Sequence, residues 1–144
     1  MSENINVEEI QFQEAEVFYK STGLIYKDEV YEIVGICMEI HNALGKGFSE
    51  IVYKDALEYE FKLKEKNYSR EKKFNIPYKD IILPHSYNAD FIYEDKIILE
   101  VKAQNGIIDN HFRQTINYLA ASKLKLGVII NFGEDSLKFK RVVL

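Results

Sequence analysis

The chain has few of the residues that build disulfides and zinc sites. Its 144 residues include a single cysteine, Cys37, so an internal disulfide is excluded, and a lone thiol is consistent with a reducing, cytoplasmic environment. Only three histidines accompany it, so a structural zinc site, which takes four cysteine or histidine ligands, is not expected.

Long hydrophobic runs are also missing. No apolar stretch approaches the roughly 18 residues that a membrane-spanning helix needs. The start of the chain, M-S-E-N-I-N-V-E-E, is acidic and lacks the basic beginning and apolar centre of a secretion signal. Hydrophobic residues make up 47% of the chain and charged residues 29%, as expected for one globular domain with a core and no membrane segment.

The charge is unevenly distributed along the chain. Residues 1–60 carry a net charge of −9 and residues 61–144 a net charge of +5, which together give −4. A polyanion could approach the C-terminal part, although the profile is less basic than that of a dedicated nucleic-acid-binding protein. The acidic N-terminal region suggests a protein partner.

Periodicity predicts a mixed α/β (α+β) fold. Residues 1–25 form an N-terminal arm, and residues 26–144 form the domain. Helices are predicted at residues 7–20, 28–44, 50–66 and 109–123, and strands at 73–78, 81–83, 127–132 and 137–143. The apolar stripe of the helix over 50–66 is expected at Val52, Ala56, Tyr59 and Leu63, with Tyr53, Leu57 and Phe61 beside it. His41 is expected to pack at the edge of the core.

The sequence Y-N-A-D-F-I-Y-E-D-K-I-I-L-E-V-K-A at 87–103 predicts a β-hairpin around which the rest of the chain is organised. A turn centred on Asp95 places Asp90 opposite Glu100, with Lys102 on the same face. The other face is then entirely apolar: Ala89, Phe91, Tyr93, Ile97, Leu99 and Val101. A turn centred half a residue earlier would instead pair Asp90 with Leu99.

Charged side chains clustered on a half-apolar strand face require a physical reason. Two neighbouring carboxylates repel each other, and a hard cation such as Mg²⁺ relieves that repulsion through oxygen ligands. A lysine nearby can stabilise charge that develops on a phosphate. The alternative is a solvated surface on which Lys102 pairs with Glu100 or Asp90.

Two further features allow both a structural and a functional interpretation. Glu50 lies in the first turn of a predicted helix, where it complements the helix dipole, or it contributes a third acidic group to the hairpin's charged face. A run of basic residues around the end of that helix is either a solvated surface or a phosphate-contacting patch: Lys62, Lys64, Lys66, Arg70, Lys72 and Lys73.

The combination Asp90…Glu100-Val101-Lys102 on paired strands resembles the PD-(D/E)xK nuclease superfamily. Gly47-x-x-Glu50-x-x-Tyr53 matches the motif that names the GxxExxY protein family. Surrounding stretches share that resemblance: G-I-C-M-E-I-H-N-A-L-G-K-G-F-S-E at 35–50, Y-N-A-D at 87–90, H-F-R-Q-T-I-N-Y-L at 111–119 and G-V-I-I-N-F-G at 127–133. It covers residues 26–144 and implies a restriction-endonuclease-like core, with a central mixed sheet of four to five strands flanked by helices.

The resemblance also implies roles for individual residues. Asp90 and Glu100, with Glu50 and the Val101 carbonyl, look like the ligands of Mg²⁺ or Mn²⁺, and Lys102 looks like the catalytic lysine. Gln114 and Tyr118 match a Q-x-x-x-Y pattern that lies near nucleic acid in related nucleases, and His111 shares their helix face. Ala89 stands where the superfamily motif has proline, a replacement that many members share.

Three functions follow as hypotheses. The first is a metal-dependent nuclease (phosphodiesterase) that hydrolyses DNA rather than RNA, in which Lys102 positions the attacking water. The second is a catalytically inactive module of the same fold that binds nucleic acid or protein. The third is a purely structural network of ion pairs. Superfamily members are often dimers, so a homodimer is among the expectations.

Overall fold

A computed structural model of the chain describes the backbone of residues 6–11 and residues 24–144 in full. The helices are α1 (Lys27–Leu44), α2 (Glu50–Leu63) and α3 (Asp109–Ser122). The strands are β1 (Asn6–Gln11), β2 (Tyr68–Phe74), β3 (Pro77–Tyr78), β4 (Ile81–Ile82), β5 (Tyr87–Tyr93), β6 (Ile97–Lys102), β7 (Leu126–Asn131) and β8 (Lys138–Val143).

Within the described residues, the central sheet has the strand order β1-β8-β7-β6-β5-β2. Strands β6 and β7 are parallel and joined through α3, because a parallel pair needs a long crossover. The other pairs are antiparallel. This mixed sheet, flanked by helices, confirms the predicted restriction-endonuclease-like architecture.

The N-terminal arm contains a strand where a helix was predicted. Residues 6–11 form β1 and pair with β8 at the sheet edge, so the predicted helix over 7–20 is wrong as far as residue 11. Its remaining residues lie outside the described part of the chain. The proposed division into an arm at 1–25 and a domain at 26–144 stays a prediction.

The hairpin has the register that its apolar pattern predicted. Phe91 lies opposite Leu99, Ile92 opposite Ile98, and Tyr93 opposite Ile97, so the turn is centred on Asp95. Continuing this register places Asp90 level with Glu100. The alternative pairing of Asp90 with Leu99 is therefore excluded.

The sheet separates two apolar clusters. Side chains from α1 and α2 pack with Phe91, Leu99 and other residues on one face of the sheet. Side chains from α3 pack with Ile92, Ile98 and other residues on the opposite face. Helix α3 approaches β7 very closely, because a Cβ on Gly127 would lie 2.5 Å from the Thr115 side chain.

The buried side of α2 differs from the predicted stripe. The helix buries Tyr53, Lys54, Leu57 and Phe61. Tyr59 and Leu63, expected in the stripe, are 64% and 63% exposed. Both sets recur at helical spacing, so only the position of the sheet determines which one is covered. Among the described residues, no helix combines the length and apolar character needed to cross a membrane.

Candidate functional site

Asp90 lies where β5 and β6 separate. The ladder between the two strands ends at the pair Phe91–Leu99. Ala89 packs with the α3 cluster, whereas Phe91 packs with the α1–α2 cluster, so the alternation of faces breaks at Asp90. This corrects the prediction that Ala89 shares a face with Phe91. In the opening, Asp90 Oδ2 accepts a hydrogen bond of 2.8 Å from the Val101 backbone N–H, in place of a ladder bond.

Glu100 is a buried carboxyl group beside Asp90. It is only 6% exposed, and its Oε1 atom has no hydrogen-bond partner among the described residues. Burial, followed by the charge of Asp90, raises the pKa of Glu100 from 4.5 to about 9. A buried acceptor without a partner costs roughly 1–3 kcal/mol or more, so this arrangement is unfavourable for folding alone.

Lys54, on α2, contacts the other side of Asp90. Its Nζ atom donates to Asp90 Oδ1 at 3.0 Å and also to Glu71 Oε1 on β2. Burial lowers the pKa of Lys54, but the hydrogen bonds to Glu71 and Asp90 outweigh it, so the pKa is raised. Both oxygens of Asp90 are thus hydrogen-bonded, while Oε1 of Glu100 has no hydrogen-bond partner within residues 24–144.

Neither Lys54 nor Glu71 was predicted from the sequence to belong to the site. A signal for Lys54 was present, since it lies four residues after Glu50, three before Leu57 and seven before Phe61, on the buried side of α2. A lysine at such a position needs an acidic partner. Glu71 lies on an exposed part of β2, and no pattern in the sequence marks it.

Lys102 ends β6, two residues after Glu100. It is half-buried, and no carboxylate among the described residues lies within ion-pair distance of its ammonium. Its charge lowers the pKa of Glu100, against the larger effects that raise it. Lys102 therefore lies close enough to Glu100 for its charge to act on that carboxyl group.

The glycine loop before α2 is held by Tyr53. The Tyr53 hydroxyl donates to the Gly45 carbonyl at 2.6 Å and accepts from the Phe48 N–H at 3.3 Å, and its ring stacks on Phe132. Gly47 has φ +113°, a backbone conformation that residues other than glycine rarely adopt. Gly47 and Tyr53 thus fix the start of α2, where Glu50 is exposed one turn before Lys54.

The three residues predicted to line the substrate side lie on α3. The Tyr118 ring stacks on Tyr87 with 3.8 Å between ring centroids, and Gln114 is exposed one turn earlier. His111 Nδ1 accepts from the Ile108 N–H at 3.2 Å. Burial, followed by the charge of Lys102, lowers the pKa of His111, which favours the neutral imidazole.

The loop after Lys102 is tied to the end of β7. Buried Asn131 accepts from the Gln104 N–H at 3.1 Å and donates to the Gln104 carbonyl at 2.8 Å. Gly133 allows a close backbone approach, because a Cβ there would lie 2.2 Å from the Gln104 nitrogen. His41, predicted to pack at the core edge, is buried, and its Nε2 lies 3.0 Å from the Glu134 carbonyl.

Most of the basic run is occupied by ion pairs. Lys62, Lys64, Lys66 and Arg70 each contact a carboxylate on α1 or α2. Lys72 and Lys73 are exposed and have no such partner in the described part of the chain. The structural interpretation therefore holds for the first four residues, and only Lys72 and Lys73 remain for a phosphate-contacting patch.

The carboxylate pair and the lysine two residues on form the arrangement that the sequence motif predicted. A family model for the PD-(D/E)XK nuclease superfamily matches residues 27–142. The chain belongs to this superfamily. Membership implies nuclease-like function and a nucleic-acid substrate. No curated protein and no solved structure matches the chain significantly.

The superfamily site is only partly assembled as a ligand set. Across residues 24–144, no three histidine, cysteine, aspartate or glutamate side chains form a group that could hold a metal ion. Asp90 and Glu100 lie side by side, and Val101 and Lys102 follow Glu100 on β6. Glu50 remains apart from them, at the start of α2. The catalytic, metal-binding and substrate-binding roles predicted for these residues stay predictions.

Proposed function

We propose that this superfamily member is a metal-dependent nuclease that hydrolyses phosphodiester bonds in DNA. The observation that carries the proposal is the buried carboxyl of Glu100, whose neighbour is the carboxylate of Asp90 and whose Oε1 has no hydrogen-bond partner in the part of the chain that the structure describes. Clusters of perturbed acidic groups are typical of functional sites, because folding alone does not favour them.

The chemistry of the donor set fits Mg²⁺ or Mn²⁺. Asp90, Glu100 and the Val101 carbonyl would hold the ion, and Glu50 would join them from the start of α2. Mg²⁺ is usually bound by one or two carboxylates, with waters and substrate phosphate completing its shell, so a larger protein cluster is not required. When bound, the ion supplies Lewis-acid polarisation of the phosphate and a more acidic water.

The other residues act directly on the substrate. The Lys102 ammonium stabilises negative charge on the scissile phosphate and orients the attacking water. His111, favoured as neutral beside Lys102, offers a hydrogen bond on the same side without adding charge. Gln114 and Tyr118 contact the strand that leads into the site.

A cleavage assay tests this function. Plasmid, linear duplex, branched and single-stranded DNA, and RNA are incubated with Mg²⁺, Mn²⁺ or EDTA. We expect metal-dependent cleavage of DNA that Glu100→Gln and Lys102→Met each reduce by at least about 100-fold. Lys125→Met is the matched control, because Lys125 is exposed and precedes β7 at the end of the sheet opposite to Lys102. Equal cleavage by all variants would contradict the proposal.

One observation favours the inactive module as a second candidate. Lys54 already neutralises Asp90 within the protein. If it acts as a permanent counter-ion, calorimetric titration with Mn²⁺ shows no binding to the wild type and binding to Lys54→Met. If the protein is a nuclease, the wild type binds Mn²⁺ and Asp90→Ala does not.

The resemblance to the GxxExxY family extends this proposal. Its motif residues have a clear position here, since Gly47 and Tyr53 fix the loop from which Glu50 starts α2. This position supports the proposal that the chain is a member of that family. A homodimer and a protein partner of the acidic N-terminal region are further parts of the proposal. Analytical ultracentrifugation of the full chain tests whether a homodimer forms.

A further inference from the structure

The β3–β4 hairpin presents apolar side chains to solvent. Its two strands pair with each other and, within the described residues, with no other strand. The Leu83 N–H donates to the Ile76 carbonyl and closes its base. Tyr78, Ile81 and Ile82 are 56%, 58% and 58% exposed. Three large apolar groups on such a short projection indicate a contact surface rather than a stabilising element.

Lysines precede this hairpin in the chain and occupy its turn, which also carries Asp80. Lys72 and Lys73 lie on β2 directly before the hairpin and are exposed, without a carboxylate partner among the described residues. Lys79, in the hairpin turn, lies over the Tyr78 ring at 5.5 Å from its centroid. Apolar side chains with three lysines and a single carboxylate, Asp80, near them in the chain suit a polyanion with stacked apolar bases better than they suit an apolar protein face.

A pocket of about 610 Å³ opens between the base of the hairpin and α3. This volume is within the usual range of ligand sites, roughly 300–1,000 Å³. Its walls combine apolar groups, aromatic rings and amides: Ile76, Pro77, Tyr87, Gln114, Asn117 and Tyr118. Ala120 and Ala121 also line the pocket, and their small side chains leave space along α3.

An aromatic column borders this pocket, and two of its rings, Tyr87 and Tyr118, line it. The rings of Phe74 and Tyr87 are stacked with 5.2 Å between centroids, and Tyr87 stacks in turn on Tyr118. The Tyr87 hydroxyl donates to the Tyr118 carbonyl at 2.9 Å, which fixes the pair. A preformed stack of rings is the usual platform for an unpaired base, and the side-chain amides of Gln114 and Asn117 can both donate to and accept from a base edge.

The pocket lies close to the carboxylate pair, because Tyr87 lines it and is on the same strand as Asp90, three residues before it. Burial raises the pKa of Tyr87 to about 12, and the charge of Glu100 adds to this increase. Burial also raises the pKa of Tyr118, with further contributions from Glu100 and Asp90. A strand whose base occupies the pocket would therefore pass near the site proposed for cleavage.

We propose that the hairpin and this pocket bind the boundary between duplex and single-stranded DNA. The apolar tip packs against the last base pair, the lysines contact the backbone phosphates, and the pocket receives an unpaired base. This inference rests on the proposed function and narrows its substrate to forks, flaps and frayed ends.

Binding to labelled oligonucleotides in EDTA tests the inference without cleavage. Fluorescence anisotropy of the full chain compares a splayed fork with a blunt duplex of the same sequence. We expect the fork to bind at least about tenfold more tightly, since stacking on an aromatic platform alone gives a gain of this order. Equal affinities would overturn the proposal.

Two variants and their controls locate the contact. We expect the double variant Ile81→Ser/Ile82→Ser and the pocket variant Ala120→Glu each to weaken fork binding about tenfold. Leu63→Ser removes another exposed apolar group, and Ala43→Glu adds a charge on α1, which packs on the opposite face of the sheet. The controls should retain fork affinity, and an equal loss in the controls and the test variants would overturn the proposal.

A base analogue provides a direct readout. 2-Aminopurine at the first unpaired position should lose fluorescence when the wild type binds, and Ala120→Glu should prevent that change. The competing possibility is that a second copy of the chain covers the hairpin, and light scattering tests it. If the wild type is a dimer and Ile81→Ser/Ile82→Ser is a monomer, the hairpin is a dimer contact and the proposal is overturned. Fork preference without cleavage would refute the nuclease proposal and leave this inference standing.

Discussion

Replacing Glu100 with glutamine should stabilise the protein in the absence of metal. At pH 7.5, folding keeps Glu100 protonated, because burial and then Asp90 raise its pKa from 4.5 to about 9. The unfolded chain ionises this group freely. The pH of 7.5 lies three units above the pKa of Glu100 in the unfolded chain, and each unit corresponds to about 1.36 kcal/mol. Keeping Glu100 protonated therefore lowers the free energy of unfolding by up to about 4 kcal/mol. Glutamine has nearly the same shape and does not take up a proton.

The sign of this effect sets its pH dependence. Between pH 4.5 and 9 the folded state binds more protons than the unfolded state, so the free energy of unfolding falls as pH rises. The slope from Glu100 alone is about 1.4 kcal/mol per pH unit. Below pH 4.5 both states are protonated, and the difference between wild type and Glu100→Gln should disappear.

Urea denaturation followed by circular dichroism measures this difference. Unfolding curves are recorded in EDTA from pH 5 to pH 8.5 for the wild type, Glu100→Gln and the control Glu65→Gln, which alters an exposed carboxylate. We expect the Glu100→Gln advantage to grow with pH and the control to follow the wild type. An advantage that stays constant, or a variant less stable at pH 8 than the wild type, would refute the reasoning.

The same assay links stability to the proposed ion. A ligand that binds only the folded state at ten times its Kd stabilises that state by about 1.4 kcal/mol. Mg²⁺ or Mn²⁺ should therefore stabilise the wild type at pH 7.5 and have little effect on Glu100→Gln. Equal stabilisation of both proteins would show that the ion binds elsewhere.

Two further substitutions test the supports of the site. Lys54→Met should destabilise the metal-free protein by about 3 kcal/mol in urea unfolding, because Asp90 loses its buried counter-ion, and an unchanged midpoint would contradict this. Gly133→Ala should lower stability by about 1–3 kcal/mol, because its Cβ would meet the Gln104 backbone at 2.2 Å. The control Gly106→Ala has open space around it and should change stability by less than about 0.5 kcal/mol; similar losses in both would show that the close approach does not matter.

Local pattern was sufficient for the hairpin. In the observed register the residues at 91, 93, 97, 99 and 101 share one face and are all apolar, and a register shifted by one residue would bring Glu100 onto that face. The turn at Asp95 and the proximity of Asp90, Glu100 and Lys102 were therefore predictable. The motif residues Gly47 and Tyr53 were found through resemblance, whereas their role in holding the loop before α2 became visible only in the fold.

Long-range packing decided what local pattern could not. Helix α2 carries two apolar stripes, and the sheet covers the one with Tyr53, Leu57 and Phe61, which buries Lys54 against Asp90. The break in alternation at Asp90 results from the separation of β5 and β6 and brings Ala89 to the α3 side.

The sequence by itself determined the order of most elements, the hairpin register and the charged motif, because these depend on neighbours a few residues apart. The tertiary structure alone decided the counter-ion of Asp90, the burial of Glu100 and the pocket beside α3. Each of these depends on which surfaces, distant in the chain, pack together and exclude water. Burial converts an ordinary pair of carboxylates into a site, and burial is a property of the assembled fold.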